Sequence, residues 1–173
     1  MTAVFFCSAN EDIAPEYNDA ARQIVRAAAA RGWKISSGGT TKGTMGVICE
    51  EALGCGAFTK GVVPRFMQDV VYPGLTETVW TDSMAERKAA MVADADLAVA
   101  LPGGIGTLDE LFEVYVLAKL GKYSGRVAVL NIGGFYDLLI AMLDHLVDTG
   151  MLLPKDRALL VEARSASDII DLL

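Results

Sequence analysis

Two short stretches bring together residue types that could do chemistry: Pro102-Gly103-Gly104-Ile105-Gly106-Thr107-Leu108-Asp109-Glu110, and Met84-Ala85-Glu86-Arg87-Lys88. The first follows an apolar run, Leu97 to Leu101, and leads into a helical pattern. Glycines allow positive φ and close approach of a ligand to the backbone, while the start of the next helix offers unpaired N–H groups at the positive end of its dipole. Gly103, Gly104, Gly106 and the Thr107 hydroxyl could therefore hold a phosphate. A plainer reading also fits. Thr107-Leu108-Asp109-Glu110 matches the S/T-x-x-E capping box, in which the glutamate bonds the cap amide, and Ser83 to Glu86 matches it too. If Glu110 instead points into a cleft, the helix dipole favours its ionised form, suited to stabilising a cation or activating water rather than donating a proton.

Arg87 belongs to a helix expected to start near Asp82 or Ser83, on which Met84, Met91 and Ala95 form one apolar stripe. It falls at the edge of that stripe, where a guanidinium needs an anionic partner and its fork suits carboxylate or phosphate. The alternative is an arginine snorkelling to solvent beside Lys88. A second glycine-rich turn, Ser37-Gly38-Gly39-Thr40-Thr41-Lys42-Gly43, has the same character. Neither turn is a P-loop, because Lys42 precedes Gly43, and neither completes G-x-G-x-x-G, so ATP and NAD are poorly supported. Two such turns in one small chain, with Thr40, Thr41 and Thr107 hydroxyls at hand, favour a small phosphorylated ligand. His145, the one histidine, reads as a surface residue of a late helix.

The elements that must position these residues alternate along the chain. Strands are expected at Val4 to Cys7, Lys34 to Ser37, Gly61 to Val63, Leu97 to Leu101 and Val127 to Asn131, with helical patterns between them. Because the strands are almost continuously apolar, they suit a parallel sheet covered on both faces: an α/β, Rossmann-like, doubly wound fold. Pro64 to Asp82 reads as an irregular excursion with a short strand at Thr78 to Trp80; the tail adds a strand near Leu160 to Ala163 and a helix after Ser165. In such sheets ligands sit beyond the carboxyl ends of the strands, here Ser8-Ala9-Asn10 and the two glycine turns. The length of 173 residues fits one domain, 1–173. A net charge of −7 argues against nucleic acid or an anionic membrane as partner. Cys7, Cys49 and Cys55 show no metal or disulfide spacing, which points to a reducing, cytoplasmic setting, and without a leader or an apolar stretch of about 18 residues the protein is expected to be soluble and unprocessed.

On Met84 to Lys88 and the PGGxGTxxE pattern of Pro102 to Glu110, the chain resembles the LONELY GUY (LOG) family of cytokinin riboside 5′-monophosphate phosphoribohydrolases, often described as lysine decarboxylases. Pro15-Glu16-Tyr17, Gly38 to Gly46 and Gly133-Phe135-Tyr136 add to a resemblance that spans most of the chain. It implies Arg87 and Glu110 as catalytic residues, and Gly38, Gly39, Thr40, Met84, Lys88, Gly103, Gly104, Gly106 and Thr107 as substrate- and phosphate-binding residues. It further implies hydrolysis of the N-glycosidic bond of a nucleoside 5′-monophosphate (AMP or a cytokinin riboside monophosphate) to free base and ribose 5-phosphate, with no cofactor and no metal. Departures from the family pattern fall at Cys7, Thr40, Thr44 and Ala85, so base- and ribose-side selectivity is where this chain is expected to differ. Two alternatives remain open: a broader AMP or purine nucleotide nucleosidase, and a non-catalytic carrier such as the molybdenum-cofactor carriers. A pyridoxal-phosphate decarboxylase would need a Schiff-base lysine, and nothing marks Lys42, Lys60 or Lys88 as one. The helix Leu111 to Leu120 is apolar nearly all round, with Val116 and Leu117 on the expected solvent side; a homodimer explains this, as does cover within the monomer.

Overall fold

The sheet is built from β1 (Thr2–Phe6), β2 (Lys34–Ser37), β3 (Thr59–Pro64), β4 (Glu77–Thr81), β5 (Leu97–Ala100), β6 (Arg126–Leu130) and β7 (Leu160–Ala163). A computed structural model describes all residues, Met1–Leu173. All strand pairs are parallel, in the spatial order β4-β3-β2-β1-β5-β6-β7. The connections are α1 (Pro15–Ala30), α2 (Gly43–Gly54), α3 (Met84–Val92), α4 (Ile105–Lys119), α5 (Asp137–Asp148) and α6 (Pro154–Arg157), and α7 (Ala166–Ile170) ends the chain.

Strand side chains alternate between two cores. Ala3, Phe5, Leu97 and Val99 pack with Ala21, Ile24, Ile48 and Ile169 of α1, α2 and α7 on one face. Val4, Phe6, Ala98 and Ala100 pack with Met91, Leu111, Val114 and Leu143 of α3, α4 and α5 on the other. Burial on both faces explains why β1, β5 and β6 read as nearly unbroken apolar runs. From β1 the chain steps outward through β2, β3 and β4, then returns to place β5 on the free side of β1. The crevice where the direction of winding reverses therefore lies between the ends of β1 and β5.

Several boundaries differ from expectation. β3 starts at Thr59 because the polar Thr59 and Lys60 are buried, with the Lys60 ammonium 2.5 Å from Asp94. The excursion after β3 contains a 3₁₀ segment, Arg65–Val70, before the edge strand β4. α6 was not foreseen, whereas β7 spans the expected residues and Ser165 caps α7 with a full capping box to Asp168. The stripe expected on α3 is broken: Met91 is buried, Ala95 lies past the helix end, and Met84 is 42% exposed.

Candidate active site

A cavity of about 370 Å³ opens at the crevice between β1 and β5. Its walls come from the β1 loop (Cys7 to Asn10), α2 (Met45), the 3₁₀ segment (Met67), α3 (Met84, Arg87) and the start of α4 (Gly104 to Thr107, Glu110). The turn after β5 leads straight into α4, whose N-cap is Gly104 and carries no side-chain cap. None of the backbone N–H groups of Gly103, Gly104, Ile105, Gly106 and Thr107 finds an acceptor in the protein. First-turn amides have no intrahelical partner, so this run presents five donors and the positive dipole end together. Gly103 has to be glycine, because a Cβ there would overlap the Thr107 hydroxyl.

Thr107 is therefore the third residue of α4 and not its cap, and the expected Thr107–Glu110 capping box does not form. The helix starts earlier than that pattern implies because the Gly103-Gly104 turn delivers the chain in helical geometry already at Ile105. Glu110, one and a half turns in, points across to α3. Its Oε1 accepts a hydrogen bond of 2.7 Å from Arg87 Nη1, and both side chains are about nine-tenths buried. Arg87 Nε donates to the Val62 carbonyl at 3.0 Å, which anchors the guanidinium to β3. At Ser83 half of the second expected box forms: Ser83 Oγ accepts from the Glu86 amide, while the Glu86 carboxylate turns to the Asp82 amide.

Burial pushes the Glu110 carboxyl above its ordinary range, and the Arg87 charge opposes that shift without cancelling it. The expectation that the helix dipole would favour the ionised form is thus corrected, since the dipole acts within the first turn and Glu110 lies beyond it. Burial also raises the Cys7 thiol well above its usual value, with the Glu110 charge adding to the effect, so this thiol is a poor nucleophile.

The remaining candidates separate. Met84 lines the mouth of the cavity beside Ile105. Lys88 is outside the cavity lining; its ammonium bonds Asp109 at 2.8 Å and Glu113 at 2.7 Å, tying α3 to α4, and these two bonds raise its pKa. Gly38, Gly39, Thr40 and Gly103 are also outside the lining, in contrast to the expected phosphate contact. A Cβ on Gly38 would overlap the Arg87 guanidinium and the Met45 sulfur, and one on Gly39 would overlap the backbone of Gly61. Thr40 is buried, with its hydroxyl accepting from the Lys42 amide and facing the Met45 sulfur. Gly38 thus packs against the arginine. Met45 was missed because a methionine in an apolar pattern reads as core, and Met67 because it falls in the irregular excursion after β3. Lys42 and Lys60 lie outside the cavity too, and His145 is exposed as expected.

Residues 45–173 match the family model described as possible lysine decarboxylase. The cytokinin riboside 5′-monophosphate phosphoribohydrolase LOG5 of Arabidopsis thaliana is 34% identical over 170 residues, covering 97% of this chain and 75% of that protein. The chain belongs to the LOG family. The probable phosphoribohydrolase LOGL5 of Oryza sativa subsp. japonica, another LOG protein, is 36% identical over 167 residues, covering 95% and 68% of the two chains. Among solved structures, the LOG-family fold is shared with TM1055 (TM-score 0.75, 20% identity, 99% of this chain and 96% of that one) and with the molybdenum cofactor carrier protein of Chlamydomonas reinhardtii (TM-score 0.74, 19% identity, 98% and 93%).

Proposed function

We propose that this LOG-family protein hydrolyses the N-glycosidic bond of nucleoside 5′-monophosphates, cytokinin riboside 5′-monophosphates among them, to free base and ribose 5-phosphate. The observation that carries the reading is the pairing of Glu110 with Arg87 in the cavity that Gly104, Ile105, Gly106 and Thr107 line, four of the five residues whose amides are free. The amides and the α4 dipole hold the phosphate, and so fix the ribose against Glu110. Its carboxylate stabilises the oxocarbenium-like state and orients the attacking water, while Arg87 holds the carboxylate in place. Met45, Met67 and Met84 offer soft, polarisable surface for the flat base.

A non-catalytic carrier of the same fold has no need of a buried Arg87–Glu110 pair, and Glu110 is not engaged as a cap. The deciding experiment is base release from AMP and from isopentenyladenosine monophosphate by the wild type and Glu110→Gln. A folded Glu110→Gln variant is expected to lose on the order of 10³-fold in kcat. No release by the wild type from either substrate would favour the carrier.

We infer that the protein is a homodimer. Phe112 and Val116 on α4 and Leu120 at its C-cap are exposed apolar residues four apart, and Leu138 and Met142 on α5 are exposed as well. Light scattering is expected to report a dimer for the wild type and a monomer for Val116→Asp. Three free thiols, two of them buried, support a cytoplasmic location.

A further inference from the structure

We propose that Tyr136 is a positioning residue for the phosphate turn: its hydroxyl fixes the end of β5 from which the five free amides project. This rests on the reading of Gly103 to Thr107 as the phosphate cradle. Tyr136 does not line the cavity, so it acts only through the turn.

The last rung of the β5–β6 ladder is Ala100 opposite Val129. One residue on, the Leu101 amide still donates to Phe6, but the Leu101 carbonyl lies beyond any strand partner and is fully buried. The Tyr136 hydroxyl donates to it at 2.7 Å. Pro102 follows with no N–H to offer, and no amide from Gly103 to Thr107 bonds to the protein. That carbonyl is thus the last tertiary anchor before the cradle.

Tyr136 is itself held from behind. Its amide donates to Asn131 Oδ1 at 2.6 Å, and Asn131 Nδ2 donates to both Asp137 and Glu162 at 2.8 Å. The ring packs edge-on against Phe135 at 4.8 Å. Gly133 and Gly134, at φ of 61° and 76°, shape the turn that brings it under β5. Phenylalanine would fill the same space. A buried hydroxyl is costly unless bonded, so its presence here is accounted for by the Leu101 carbonyl.

The test is inhibition of base release by ribose 5-phosphate and by adenine, in the wild type, Tyr136→Phe and a control, Tyr123→Phe. Tyr123 is a second buried tyrosine whose hydroxyl bonds a backbone carbonyl, that of Arg126 at the start of β6, at the opposite, amino end of the strands. The ribose 5-phosphate inhibition constant and the substrate KM are expected to rise roughly tenfold in Tyr136→Phe, with the adenine constant and kcat within about twofold of wild type. Tyr123→Phe is expected to change neither ratio. Asn131→Ser, which loosens the turn but keeps the hydroxyl, should give the same asymmetry at smaller size even if Tyr136→Phe folds poorly. Equal weakening of both inhibitors, or none, overturns the assignment while leaving the cradle intact. If the wild type itself binds ribose 5-phosphate no better than ribose, the cradle reading falls and this assignment falls with it.

Discussion

The two glycine-rich turns look alike in sequence but differ in how many of their amides the protein itself uses. In the turn from Ser37 to Gly43 three amides are spent inside the protein, Gly39 donating to Ser37 Oγ, Thr41 to the Val70 carbonyl and Lys42 to Thr40 Oγ1, while those of Gly38, Thr40 and Gly43 are not. In the turn from Gly103 to Thr107 none is spent. A glycine-rich turn therefore signals close approach of something to the backbone, but that something can be the protein itself. At Gly38 it is the Arg87 guanidinium; at the second turn the space in front of Gly104 and Gly106 is open.

The sharpest way to break this contrast is Gly38→Ala. The new Cβ would displace Arg87 from Glu110 and also press on the Met45 sulfur, and kcat is expected to fall by about 10²-fold with a smaller change in KM, because small misplacements of a reacting constellation are that costly. Gly103→Ala should act in the other sense. By pushing on Thr107 it distorts the cradle, and steady-state kinetics is expected to show KM raised about tenfold with the smaller change in kcat. If both variants lose kcat alone, the two turns are not functionally distinct. The smallest effect is on pH. Because burial holds the Glu110 pKa up and the ionised form does the work, kcat/KM should fall with decreasing pH from a point above the ordinary glutamate value of about 4.3. The stability sign is opposite: a folded-state pKa above the unfolded one contributes stability below the unfolded value and loses it as pH rises through the folded value. Thermal melts should accordingly show Glu110→Gln gaining on the wild type between acid and neutral pH.

Much of the fold was legible because the central strands β1, β5 and β6, buried on both faces, are apolar almost throughout. β2 was found despite its buried Ser36 and Ser37, whereas Lys60 hid the start of β3, and its burial is accommodated by Asp94 beside it. Arg87 was legible as a charge at the edge of an apolar stripe. Glu110 was legible as a candidate but not in its role, since the capping pattern around Thr107 competes with a helix start that Ile105, an exposed apolar residue, does not announce. Lys88 was legible as a cation in the right stretch, and only its two carboxylate partners on α4 place it outside the cavity. Met45 and Met67 carried no signal, because their place in the wall depends on which way two separate elements face.

By itself the amino-acid order determined a parallel, doubly covered sheet with glycine turns at its carboxyl ends, since periodicity, continuous apolar strands and backbone freedom are local properties. The tertiary structure alone decided which turn keeps its amides free, and whether Glu110 meets Arg87 or a helix cap. Those outcomes hang on contacts with Val70, Val62 and Gly38, distant in sequence, and on a burial that only the assembled layers impose.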